Sequence, residues 1–155
     1  MLFIDFDNTI TSKEVTYDNF IQHWKTKLNT PPRECWKNFS ENFVIVTNST
    51  LMEKFLIKSY LKKYKLYHLC SNIICTNSII DYKNLTYEEV INKKVSSIIK
   101  YLNDKKWTSL ENIPEIQYID YDIIQMIEVN KRIKKFILET LFDKIEVDLV
   151  ETKTF

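Results

Sequence analysis

Residues 1 to 11 read Met1-Leu2-Phe3-Ile4-Asp5-Phe6-Asp7-Asn8-Thr9-Ile10-Thr11, an apolar run that breaks into two aspartates one residue apart and then a threonine. The run predicts a buried strand ending near Asp5. Side chains at i and i+2 of a strand share a face, so Asp5 and Asp7 are expected to project together from its C-terminal end. Ligands of open α/β sheets bind outside those ends. Two carboxylates this close repel each other unless a cation or a shared proton intervenes, which points to a divalent ion with oxygen ligands such as Mg²⁺. The plainer alternative is a solvated loop in which Asn8 and Thr9 are turn formers.

Outward from that stretch, periodicity alternates between strand and helix. A helix is expected over 13 to 28 with Ser12 as N-cap and Val15, Phe20, Ile21, Trp24 and Leu28 as its apolar positions, stopped by Asn29-Thr30-Pro31-Pro32; a shorter one covers 33 to 40. Phe43-Val44-Ile45-Val46 is a second strand ending in Thr47-Asn48, followed by a helix from about 50 to 64. A third strand covers 72 to 76. The helix over 87 to 103 has a buried face of Val95, Ile98, Ile99 and Leu102 at i, i+3, i+4 and i+7. Ile116 to Asp120 makes a fourth strand, 123 to 141 a helix, and Lys144 to Val150 a fifth strand. The order predicts an α/β, Rossmann-like three-layer sandwich around a mostly parallel five-stranded sheet.

The 155 residues suit a single domain over 1–155. Lys and Arg number 22 against 21 Asp and Glu, a net charge of +1, so no global basic footprint marks the chain for nucleic acid. Cys35, Cys70 and Cys75 form no C-x-x-C pair and are odd in number, which points to a reducing compartment and to cysteines that fill the core. The opening has no basic leader-like segment, and no apolar run approaches the ~20 residues of a membrane span. These features predict a cytoplasmic protein, or one of the host-cell cytoplasm if the source is viral, with no membrane partner. Glycine and alanine are absent and only Arg33 and Arg132 stand among the 22 basic residues, a bias that suits an AT-rich genome. Without glycine, positions needing φ > 0 fall to Asn or Asp, and Asn8, Asn48 and Asn77 are the candidates.

Asp5-Phe-Asp7-Asn-Thr9 after an apolar strand resembles the first motif of the haloacid dehalogenase (HAD) superfamily, most of whose members are Mg²⁺-dependent phosphohydrolases. The second motif of that family, an apolar strand ending in Thr or Ser, is matched by Phe43 to Thr47, with Asn48 next. Its third, a lysine near a helix start, is matched by Lys94 or, second, Lys93; a cation there opposes the helix dipole and needs a carboxylate or phosphate nearby. Asp120-Tyr121-Asp122 resembles the acidic fourth motif, with Tyr121 where an adjacent aspartate is usual. The segments span residues 2 to 122 in the family's order.

The resemblance implies that Asp5 is a nucleophile forming an aspartyl-phosphate and that Asp7 is a general acid and base. It implies that Thr47 and Lys94 hold the phosphoryl charge, with Asn8, Thr9 and Asn48 on the substrate. Mg²⁺ would sit on Asp5, Asp7 through its backbone carbonyl, and Asp120, with Asp122 supporting. The windows where family members insert caps, 12 to 42 and 77 to 92, are short, so the chain looks capless or minimally capped. An open site leans towards a macromolecular phosphate, a phosphoprotein or a nucleic-acid end. Lys54, Lys58 and Lys62 form a stripe that could meet a phosphate backbone or simply be a solvated helix face. The alternative function is a catalytically degraded HAD fold serving as an interaction protein.

Overall fold

The computed structural model describes residues 1–12, 19–77, 85–107 and 116–154, without the side chains of 152–154. Its elements are β1 (Leu2–Ile4), α1 (Phe20–Leu28), β2 (Phe43–Thr50), α2 (Lys54–Lys63), β3 (Cys70–Asn77), α3 (Tyr87–Asp104), β4 (Gln117–Ile119), α4 (Ile123–Phe136) and α5 (Phe142–Thr154). The four strands are parallel in the order β3-β2-β1-β4. From β1 the chain moves outward through β2 and β3, then returns to place β4 on the other side of β1. The reversal lies between β1 and β4, and a crevice outside their C-terminal ends is the expected binding place.

Strand alternation divides the core in two. Phe3, Val44, Val46 and Tyr118 face α3, α4 and α5, where Ile91, Val95, Ile98, Leu102, Val129, Ile133, Leu141 and Ile145 are buried. Leu2, Ile4, Phe43, Ile45 and Ile73 face α1 and α2, against Trp24, Ile57, Tyr60 and Leu61. Each such side chain contributes about 1.5–3 kcal/mol of transfer free energy, so a one-residue slip that swapped the faces is strongly disfavoured.

The fold is α/β and Rossmann-like as expected, but the fifth strand is absent. Residues 144 to 150 are helical, and α4 runs into α5 through a π-helical turn, Ile137–Leu141. Ile145, Val147 and Leu149 alternate like a strand. Burial follows the helix instead: Leu141 and Ile145, four apart, are fully buried with Leu149 packed behind them, while Val147 and Val150 are exposed. An i,i+4 pair, Lys144 Nζ to Asp148 Oδ2 at 2.6 Å, and Trp107 N donating to the same carboxylate at 3.1 Å hold the helix in place.

Other boundaries shift as well. Asn19 caps α1, its Oδ1 accepting from Ile21 N at 2.9 Å and Gln22 N at 3.3 Å; Ser12 does not, and residues 13–18, with Val15, lie outside the described residues. Of the expected apolar face Trp24 is buried and Leu28 partly so, whereas Phe20 and Ile21 are exposed. The helix expected over 33 to 40 is a single 3₁₀ turn, Glu34–Trp36. β2 continues past Asn48 to Thr50, where Thr50 and Glu53 form a capping box ahead of α2.

Asn8 has φ 61°, as expected, but Asn48 and Asn77 lie in strands; among the described residues the other left-handed one is Lys65, φ 60°. It closes α2 in a Schellman motif, with Leu66 N donating to Leu61 O at 2.8 Å and Lys65 N to Lys62 O at 3.2 Å. In a chain without glycine, lysine takes the αL position at a cost of about 1–2 kcal/mol. Cys70 and Cys75 are partly buried and pack against the core, and burial pushes both thiols up to about 11, whereas Cys35 is exposed and fills no core. Among the described residues no helix is long and apolar enough to cross a membrane.

Candidate functional site

β1 stops at Ile4, and the chain leaves the sheet through Asp5, whose N donates to Ile119 O at 3.0 Å. A tight turn follows, in which Phe6 O accepts from Ile10 N at 3.0 Å and Thr11 N at 3.2 Å, with Asn8 in the left-handed conformation. Arg33 Nε pins the turn through Asn8 O at 2.7 Å and Trp36 Nε1 through Thr9 O at 2.7 Å. Asp5 follows Phe3 by two residues and Asp120 follows Tyr118 by two, and Phe3 pairs with Tyr118 in register. Both carboxylates therefore emerge on the face covered by α3.

Lys94 meets them there. It lies on the buried stripe of α3 with Ile91, Val95 and Ile98, and is only 3 % exposed. A buried ammonium must be paired. Nζ reaches Asp5 Oδ1 at 3.1 Å, Asp120 Oδ2 at 3.3 Å, Tyr118 OH at 2.8 Å and Gln125 Oε1 at 2.6 Å. Tyr118 OH donates to Asp120 Oδ2 at 2.5 Å, and Asp122 N to Asp120 Oδ1 at 2.9 Å. Thr9 Oγ1 donates to Asp5 Oδ2 at 3.2 Å while accepting from Tyr121 N at 2.9 Å, tying β1's exit to β4's.

The electrostatics follow from burial. Burial raises the Asp5 carboxyl, Lys94 opposes this, and the charges of Asp120 and Asp7 add to it, so that Asp5 sits at about 7. Burial, with the charges of Asp5 and Asp120, drives the Tyr118 phenol far above its ordinary value, which keeps it a neutral donor.

The other expected residues surround this floor. Asp5, Asp7, Asn8, Thr47, Asn48, Lys94, Asp120 and Asp122 all line one cleft of about 340 Å³, together with Val90, Tyr121 and Gln125. Thr9 is buried behind Asp5. Asp7 is held by Lys27 Nζ at 2.6 Å, and that ammonium stands over the Trp24 ring at 4.5 Å. Thr47 Oγ1 shares a hydrogen bond with Ser49 Oγ at 2.9 Å. Asp122 caps α4, accepting from Gln125 N at 3.1 Å, and accepts from Tyr87 OH at 3.0 Å. Lys93 points away from the carboxylates and donates to Asn77. Lys58 and Lys62 of the α2 stripe stand over the Tyr67 ring, away from the residues that line this cleft.

Sequence reading missed Tyr118, Gln125, Lys27 and Asn77. Only Tyr118 carried a signal, its two-residue spacing from Asp120 on one strand face. Among the described residues no three His, Cys, Asp or Glu side chains gather closely enough to chelate a metal by themselves. The donors fit a hard cation of the kind that takes one or two carboxylates and keeps several waters. Asp5 and Asp120 could supply those carboxylates. The Asp7 side chain is engaged by Lys27, which leaves its backbone carbonyl as its contribution.

No protein-family model, curated protein or solved structure matches the chain.

Proposed function

We propose that the chain is a Mg²⁺-dependent phosphohydrolase working through an aspartyl-phosphate at Asp5, with a macromolecular phosphate, a phosphoprotein or a nucleic-acid end, as its favoured substrate. The observation that carries this reading is the buried Lys94 ammonium bridging Asp5 and Asp120 at the sheet's reversal point, with Asp7, Thr47 and Asn48 lining the same cleft. A salt bridge meant only for stability gains little from burial beside a cleft, and strongly perturbed acids cluster at functional sites.

In this reading a phosphate monoester enters with its phosphorus facing Asp5. A carboxylate oxygen of Asp5 attacks phosphorus, the ester P–O bond breaks, and the leaving alkoxide takes a proton from Asp7. A water then gives a proton to Asp7 and attacks the acyl phosphate, releasing inorganic phosphate and restoring both carboxyls. Lys94 opposes the upward pull of burial on Asp5 and holds it against Asp120, while Thr9 fixes its second oxygen. Donors at the end of β2, Thr47 and Asn48, meet the phosphoryl oxygens. Mg²⁺ on Asp5, the Asp7 carbonyl and Asp120 would supply charge neutralisation and orientation.

The second reading, an interaction module without turnover, draws on Tyr121 standing where an adjacent acid is usual and on the internal partners of both Asp5 and both Asp120 oxygens. Hydrolysis of an aryl phosphate, measured with Mg²⁺ and with EDTA, separates the two. We expect turnover with the metal alone, and Asp5→Asn to lower it by about 10³-fold or more. Wild type that hydrolyses no phosphate ester in Mg²⁺ supports the interaction module and ends the enzyme reading.

A further inference from the structure

Lys93 and Lys94 are adjacent on α3, and about 100° of helical rotation separates neighbouring side chains, so they serve different acceptors. Lys94 goes to the floor of the cleft. Lys93 Nζ donates to Asn77 Oδ1 at 2.9 Å, and Asn77 Nδ2 donates to Asn48 Oδ1 at 2.6 Å and to Asn48 O at 3.4 Å. Asn77 is 3 % exposed, at the end of the edge strand β3, and Asn48 lines the cleft.

A chain of amides alone can be read in either direction. A cation at one end removes the ambiguity, because an ammonium donates and never accepts. Asn77 must therefore turn its oxygen to Lys93 and its NH₂ to Asn48. Asn48 must accept with Oδ1, and its own NH₂ is the prong left for the cleft. We propose that Lys93 and Asn77 are positioning residues that fix Asn48 as a hydrogen-bond donor to an oxyanion, the phosphoryl group of the substrate. The relay rests on the phosphohydrolase reading for its substrate, but what it orients is any tetrahedral oxyanion in the cleft. It brings β3 into a site otherwise built from β1, β2, β4, α3 and α4.

The test uses the full chain in Mg²⁺, with inorganic phosphate binding by calorimetry beside steady-state hydrolysis of an aryl phosphate. Asn77→Asp replaces the NH₂ by an acceptor, so Asn48 must rotate to donate to it and turns its oxygen to the anion. Lys93→Met removes the directing cation from a half-buried position and keeps the stem, so it carries the test if Asn77→Asp fails to fold. Both should raise the phosphate Kd and the KM about tenfold, with kcat changed much less, since a hydrogen bond to an anion is at stake. Lys93→Arg should retain wild-type values. Asn48→Ala should weaken binding alike, and adding Asn77→Asp to it should change nothing more, which a purely structural role would not produce.

Wild-type phosphate affinity in Lys93→Met and Asn77→Asp, or effects that add to Asn48→Ala, overturns the relay while leaving hydrolysis intact. Weakened phosphate binding in a chain that hydrolyses no ester supports the relay and removes the enzyme reading. A wild-type cleft that binds no phosphate overturns both.

Discussion

At the floor of the cleft Asp5 and Asp120 share the Lys94 ammonium, and none of the three is more than 8 % exposed; at its rim Asp7 meets Lys27 with a third of its side chain, 32 %, open to solvent. The two aspartates are one residue apart in the chain, yet their charges belong to different physical regimes. On the floor, desolvation dominates, and each charge is tolerated only through its partners. At the rim, water reaches Asp7 although the Lys27 side chain is 8 % exposed, so the pair is partly screened rather than sealed. The comparison teaches that within one short motif the inward-facing acid is built into the fold and the outward-facing one into the solvent boundary.

Removing the shared cation is the strongest way to break that contrast. Lys94→Met leaves two buried carboxylates facing each other, and should cost about 3–5 kcal/mol in urea unfolding at pH 7. Combining it with Asp5→Asn should cost less than the sum of the two, because the surplus charge goes with it. A Lys94→Met protein within about 1 kcal/mol of wild type would falsify the coupled floor, given that such pairs are costly to break.

The next effect is a pH dependence carried by the floor alone. Asp5 has a folded value of about 7 against an ordinary 3.8, so the folded chain holds its proton longer than the unfolded one. Its stabilising contribution is complete below the unfolded value and is lost as pH rises through the folded one. Unfolding in EDTA should therefore show stability falling between about pH 4 and pH 7 relative to Asp5→Asn, in which this component vanishes. If wild type and Asp5→Asn have parallel profiles, Asp5 is not shifted. Adding Mg²⁺ at pH 8 should raise the wild-type midpoint and leave that of Asp5→Asn nearly unmoved.

Changes at the rim should be smaller. Lys27→Met forfeits a partly exposed ion pair and the cation over Trp24, about 1 kcal/mol in the same unfolding assay. A loss equal to that of Lys94→Met would erase the distinction between floor and rim. Tyr121→Ala should have the least effect, within about 0.5 kcal/mol, because the ring is 63 % exposed and its contact is the Arg33 guanidinium 4.3 Å away. A larger loss would make Tyr121 part of the floor.

The contrast between Lys93 and Lys94, adjacent on α3, shows how far the chain could be read directly. Resemblance to a family lysine beside the apolar stripe marks Lys94, and the structure extends that stripe back through Ile91, so that Lys94 lies inside it and demands a partner. Lys93 is off that stripe, and its acceptor, Asn77, comes from a strand sixteen residues earlier with no local mark. Gln125 is a similar case, and Tyr118, though marked by its spacing from Asp120, becomes a polar support only when a lysine from another element arrives beside it. The C-terminal segment failed for the converse reason. Ile145, Val147 and Leu149 carry a strand's alternation, but Leu141, Ile145 and Leu149 pack at helical spacing into the core on the sheet's face, and propensity yields to packing.

By itself the sequence determined the alternation of strands and helices, the exit of two aspartates from the first strand, and the apolar face of Val95, Ile98 and Leu102 that begins beside Lys94. These rest on periodicities of 2.0 and 3.6 residues, which are local properties of the backbone. Tertiary structure alone decided that the sheet has four strands among the described residues, that Lys94 bridges Asp5 and Asp120, that Lys27 takes Asp7, and that Lys93 reaches Asn48 through Asn77. Each of those contacts joins residues far apart in the chain, and such a contact exists only once burial has fixed which faces meet.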